Sequence, residues 1–101
     1  MKVYISGPMT GYKDFNRPRF NAAATELRAA GIDVVNPAEH GEDGPEKEWA
    51  EYLRADLILL LDCQGIAMLP GWGTSRGAVL ERHVGTELGM DVRPLDEWFR
   101  P

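Results

Sequence analysis

The 101-residue chain has one cysteine, Cys63, and only two histidines, His40 and His83. A single thiol excludes an internal disulfide, and so few soft ligands leave no metal-binding set. Neither a metal nor another cofactor is expected. Basic residues are scarce as well: 11 Lys and Arg stand against 16 Asp and Glu, for a formal charge of −5. Counterion release on duplex nucleic acid needs a basic face, so a nucleic-acid polymer is not the expected partner. No apolar run approaches the roughly 20 residues of a membrane span. The opening MKVYISG lacks the apolar region of a signal peptide. No membrane partner is expected, and the location is expected to be cytoplasmic. There is no GxGxxG fingerprint and no P-loop. What is present is globular composition, 44% hydrophobic and 27% charged, which excludes a disordered chain. A single domain over residues 1–101 is expected, with a small core.

Hydrophobic period predicts the order βαβαβαβα. Lys2–Ser6 alternates and reads as a strand that stops at Gly7-Pro8. Asn16 is an N-cap candidate, Pro18 falls in a first turn, and Phe20, Ala24 and Leu27 recur at helical spacing. They predict a helix over Arg17–Ala30, closed by Gly31. Ile32–Val35 reads as a second strand, and Ala38–Gly44 as an acidic loop. A second helix opens at Pro45 and Glu46, carries Trp49, Leu53, Leu57 and Leu60 on one stripe, and runs to Leu61. Gly65–Leu69 is a third strand. Ser75–Leu88, capped by Ser75 or Thr74 and closed by Gly89, is a third helix. Asp91–Arg93 and Leu95–Phe99 follow as a short strand and a last helical turn. This alternation implies a Rossmann/flavodoxin-like α/β three-layer sandwich on a parallel sheet of four to five strands, with right-handed crossovers.

Ligands in such folds bind beyond the carboxyl ends of the strands, near the switch in strand order. That rule selects three loops, Gly7–Asp14, Asn36–Gly44 and Pro70–Ser75; the first and third carry glycine-rich motifs. Gly7-Pro8-Met9-Thr10-Gly11 allows close backbone approach, although an ordinary strand-to-helix turn has the same composition. Gly71-Trp72-Gly73-Thr74-Ser75-Arg76-Gly77 precedes a helix, where free N–H groups and the dipole favour an anion. Two fates are open to Trp72: stacking on a base from the loop, or folding back over the sheet as a core aromatic. Glu81 lies six positions after Ser75, roughly 9 Å along a helix. It is reachable from that pocket past the small Gly77 and Ala78, or it is a surface glutamate. Asp56 shares a helix face with Trp49 and Tyr52, and is either partly buried there or a surface acid near Arg54. Two carboxylates and a tyrosine around an anion pocket suit glycosidic chemistry. His40 and His83 read as loop and helix-surface residues without a role, and Cys63 as a small buried hydrophobe.

Three segments carry a resemblance. Tyr4-Ile5-Ser6-Gly7-Pro8-Met9-Thr10-Gly11, Asp56, and Ser75-Arg76-Gly77-Ala78-Val79-Leu80-Glu81 resemble the nucleoside 2-deoxyribosyltransferase superfamily. Within it they are most similar to the 2′-deoxynucleoside 5′-phosphate N-hydrolases. Nearly the whole chain also resembles a small group of phage and bacterial proteins of unassigned function. The resemblance implies Glu81 as the nucleophile at C1′, Tyr4 as the hydroxyl that orients it, and Asp56 as the group that contacts the sugar and assists the leaving base. It implies Ser75 and Gly77 as a phosphate-binding turn. Where those hydrolases carry an arginine in the first loop, this chain has Thr10, which leaves Arg19 and Arg76 to hold a phosphate. The match at Asp56 requires one extra residue between it and Ser75. In the longer transferases a neighbouring subunit completes the site, so the resemblance also implies a homodimer or higher homo-oligomer.

The expected function is cleavage or exchange of the N-glycosidic bond of a small (deoxy)nucleoside or its 5′-monophosphate. The implied site is Glu81, Asp56 and Tyr4, with Gly7, Pro8, Met9, Thr10, Gly11, Trp72, Ser75, Arg76 and Gly77 binding substrate. Two alternatives are a non-catalytic module that binds or sequesters a nucleotide, and an interaction protein with a vestigial pocket. A Glu81 turned to solvent, away from Tyr4, is the mark of the last.

Overall fold

In a computed structural model, residues 1–40 and 48–99 are described. They form β1 (Lys2–Ser6), α1 (Arg17–Ala29), β2 (Asp33–Val35), α2 (Trp49–Leu61), β3 (Gly65–Met68), α3 (Arg76–Glu87) and β4 (Asp91–Pro94). Short 3-10 turns cover Pro37–Glu39, Trp72–Thr74 and Leu95–Phe99. All four strands are parallel, in the order β2-β1-β3-β4. This is the expected α/β architecture. The expected opening of α2 at Pro45 and Glu46, and the end of the acidic loop, lie outside the described residues.

Alternation on the strands divides the core in two. Val3, Ile5, Ala67 and Leu69 face α1 and pack with Phe20, Ala24, Leu27 and Trp98. Tyr4, Ile66 and Met68 point to the opposite face, where Leu60 and Ala78 close over them from α2 and α3. Burying a side chain such as Leu27 or Phe20 stabilises the fold by about 1.5–3 kcal/mol relative to exposure.

Helix ends follow local chemistry. Gly31 (φ +83) and Gly89 (φ +73) take the left-handed position after α1 and α3. In each case the glycine N–H and the next N–H return to the last turn: Gly31 to Arg28 and Ile32 to Leu27, Gly89 to Thr86 and Met90 to Gly85. Ser75 caps α3 by accepting from the Ala78 N–H at 3.2 Å.

Asn16 departs from expectation. It precedes α1, but its side chain caps no N–H. Asp14, Phe15 and Asn16 all have left-handed φ (53, 52 and 62°), and the Asn16 carboxamide donates to the Pro8 carbonyl at 2.9 Å instead.

Because β1 has β2 on one side and β3 on the other, the chain leaving β1 crosses to α1 while the chain leaving β3 crosses to α3. The ends of β1 and β3 therefore frame a crevice. Gly7 is needed at its base: a Cβ there would lie 2.7 Å from the Leu69 Cβ.

Candidate active site

The crevice opens into a cavity of about 590 Å³, within the range of small-molecule sites. Five segments line it: the end of β1 and its loop, the start of α1, Pro37 to His40, the first two turns of α2, and the start of α3.

Glu81 stands at the inner end. It is only 5% exposed. The Tyr4 hydroxyl donates to Glu81 Oε2 at 2.5 Å, and the Ser6 hydroxyl donates to Oε1 at 2.7 Å. Strand alternation explains the pair: residues 4 and 6 of β1 share the face that α3 covers, so both hydroxyls reach one carboxylate. Burial pushes the Glu81 carboxyl up to about 7, opposed by the two hydroxyl donors and reinforced by the nearby Asp56 charge. Burial, together with the Glu81 and Asp56 charges, holds the Tyr4 phenol well above its ordinary value. Tyr4 therefore stays protonated and acts as a donor. Each Glu81 oxygen keeps a second lone pair, so a carboxylate held in this way can still attack an electrophile.

Asp56 and Tyr52 of α2 line the same cavity, together with Trp49. Their i, i+3, i+7 spacing brings them to one helix face. From α3, Ser75, Arg76 and Gly77 line it, and the Arg76 guanidinium lies 4.0 Å from the Trp49 ring centroid. The space beside Gly77 is open: a Cβ there would meet only Leu53 Cδ1, at 4.0 Å, an ordinary contact. Gly7, Pro8, Met9 and Thr10 form the wall from the β1 loop.

Three sequence candidates fall elsewhere. Gly11 does not line the cavity; it is exposed and supplies a left-handed turn position (φ +85) that a side-chain-bearing residue takes less readily. Trp72 is half-buried against the core beneath α3, with Arg82 4.9 Å from its ring centroid, and is the core aromatic of its two open fates. Arg19 is exposed and also lies off the cavity.

Other lining residues were not singled out as site residues from the sequence. Ser6 was legible in principle, because period two puts it beside Tyr4. Arg17, not Arg19, lines the cavity; it follows three residues with left-handed φ, Asp14, Phe15 and Asn16, and no glycine marks that run. His40, expected to have no role, also lines the cavity, as do Tyr12 and Phe15.

Residues 1–93 match a family model described as a domain of unknown function, DUF4406. The chain belongs to that family. No curated protein sequence matches this DUF4406 chain. Among solved structures, a 2-deoxyribosyltransferase from the psychrotolerant bacterium Bacillus psychrosaccharolyticus is similar, with a TM-score of 0.69 and 21% identity over 91% of this chain and 69% of that one. At that identity the likeness is one of fold. The DUF4406 chain thus has a nucleoside 2-deoxyribosyltransferase-like fold. Among the described residues, no helix is long and apolar enough to cross a membrane.

Proposed function

We propose that this protein cleaves or exchanges the N-glycosidic bond of a deoxynucleoside or its 5′-monophosphate, with Glu81 as nucleophile. One observation carries the reading: a buried carboxylate, gripped by two hydroxyl donors, faces a cavity that also holds Asp56. A structural glutamate gains nothing from such a place, since burying its charge is costly. The similar solved structure is described as a 2-deoxyribosyltransferase used for nucleoside synthesis, which accords with the same chemistry.

In the first step a Glu81 oxygen forms a bond to C1′ as the C1′–N bond breaks, and the bond electrons leave with the base. Asp56 assists that departure, by contact with the sugar or by giving the base a proton. Tyr4 and Ser6 keep the attacking carboxylate in one orientation and stabilise its ionised form. In the second step water, or a second base, attacks C1′ and gives up a proton to Asp56, and the bond from C1′ to Glu81 breaks, its electrons returning to the Glu81 carboxylate. Water gives hydrolysis; a base gives transfer. A deoxyribose substrate reacts more readily by this route, because no 2′-hydroxyl withdraws electrons from the oxocarbenium-like transition state. Ser75 and Arg76 hold the 5′ side. Ser75 uses an oxygen lone pair on Ala78, and its O–H remains able to donate.

The same reading takes a homodimer or higher homo-oligomer, supported by Ile58 and Leu61, which stand 65% and 61% exposed on α2. Light scattering at micromolar concentration is expected to give a multiple of the chain mass; a monomer contradicts this point.

Incubation with each natural deoxynucleoside and its monophosphate tests the activity. Release of free base by the wild type, lost in Glu81→Gln, is expected. Tight binding without turnover, with affinity kept in Glu81→Gln, identifies a nucleotide-binding module instead.

A further inference from the structure

The segment between β1 and α1 takes an unfavourable course. Asp14, Phe15 and Asn16 are three consecutive non-glycine residues in the left-handed region. Asparagine and aspartate tolerate that region, but a phenylalanine is rarely found there. The usual alternative was at hand: Asn16 stands where an N-cap residue belongs, and asparagine is among the best N-caps. That cap is not made. The carboxamide is instead used to hold the Pro8 carbonyl at 2.9 Å. A chain that forgoes a cap and accepts left-handed geometry needs a compensating role, and strained backbone of this kind gathers at functional sites.

The outcome of the unusual course is visible in the cavity. Phe15 and Arg17, on either side of Asn16, both line it. Phe15 is 43% exposed although aromatic. The Arg17 guanidinium lies 5.2 Å from the Phe15 ring centroid and 3.2 Å from Asp14 Oδ1. Tyr12, also lining, is tied into the same turn by its N–H to Met9 and by the Phe15 N–H to its own carbonyl. The wall so formed presents an apolar ring beside a planar cation, which suits a ligand with a flat ring and an anionic group.

We propose that Asn16 is a positioning residue for substrate recognition: by clamping Pro8, it holds the left-handed run that aims Phe15 and Arg17 into the cavity. This rests on the reading of the cavity as a nucleotide site, but not on Glu81 chemistry. The Glu81, Tyr4 and Ser6 cluster sits on β1 and α3, so loss of the clamp weakens binding and leaves the chemical step.

The test compares wild type, Asn16→Gly and Asn16→Asp. Glycine keeps the left-handed backbone and loses the clamp; aspartate tolerates the backbone but faces the Pro8 carbonyl with an acceptor. For the four deoxynucleoside monophosphates, KM is expected to rise about tenfold in Asn16→Gly and further in Asn16→Asp, with kcat within about threefold of wild type. A purely structural role would lower melting temperature and kcat and leave KM unchanged, which overturns the proposal. If the wild type binds a monophosphate without releasing base, Kd replaces KM. A raised Kd in both variants then upholds the clamp while the catalytic reading falls, and an unmoved Kd overturns the clamp as well. If the wild type releases base and neither variant changes KM, the clamp falls and the catalytic reading stands. A wild type that binds none of the four, and none of the parent deoxynucleosides, overturns both.

Discussion

Glu81 is a carboxylate placed where its charge is costly and then partly compensated. Two hydroxyls donate to it, yet burial still leaves it near neutrality at about 7. A nucleophile must be ionised, so the rate of base release is expected to climb about tenfold per pH unit below 7 and to level above it. Tyr4→Phe removes one donor to the ionised form. The Glu81 carboxyl then rises further, the acid limb of the pH–rate profile moves to higher pH, and activity at pH 7 falls about 10- to 100-fold. A profile unmoved by Tyr4→Phe contradicts the role given to that hydroxyl. The raised carboxyl also has a sign for stability. The folded state holds the Glu81 proton more tightly than the unfolded chain does, so its contribution is complete below about 4.5 and is lost as pH rises through about 7. The loss amounts to about 3 kcal/mol. Denaturant melts at pH 5 and pH 8 are expected to show wild type weakening relative to Glu81→Gln, since a glutamine has no charge to bury. Equal pH trends in the two proteins contradict the burial of an ionisable Glu81.

At the scale of elements, the site depends on close approach and on helix ends. Gly7→Ala puts a methyl 2.7 Å from the Leu69 Cβ, an atom fixed to the backbone of the neighbouring segment. Overpacking of that kind costs about 1–3 kcal/mol, and it spreads the crevice that β1 and β3 frame. Ser75→Ala deletes the cap on Ala78 and costs about 1 kcal/mol; thermal unfolding measures both. These elements were the most legible part of the chain, because glycines mark the ends of α1 and α3 and alternation marks β1. Helix and strand limits read from period agree with the structure to within one or two residues, save at the start of α2, where Glu48 is extended and the helix begins at Trp49. Asn16 was not legible in the same way. Its type fits a cap, and only its tie to Pro8 across the turn, a tertiary contact, sends it elsewhere. Arg17 and Arg19 are alike in this respect: helical spacing does not tell which of the two lines the cavity, and the structure has Arg17 there. Trp72 shows the opposite limit, since a glycine-rich loop suits a stacking aromatic and a folded-back one equally well until the core beside it is known.

For the whole molecule, strand order converts scattered residues into one site. Tyr4 and Ser6 come from the first strand, Asp56 from the second helix and Glu81 from the third, and the crossing at β1 and β3 collects them at one crevice. Sequence pattern alone left Glu81 and Asp56 with surface alternatives; the resemblance assigned them roles, and the fold places both at one cavity. The wider claim, that the cavity breaks an N-glycosidic bond through Glu81, is tested most directly by chromatography of natural deoxynucleosides and their 5′-monophosphates after incubation with wild type and Glu81→Gln. Free base is expected from the wild type, with a loss of about a thousandfold or more in a folded Glu81→Gln. No base from any of these substrates with the wild type, or equal release by both proteins, would contradict it.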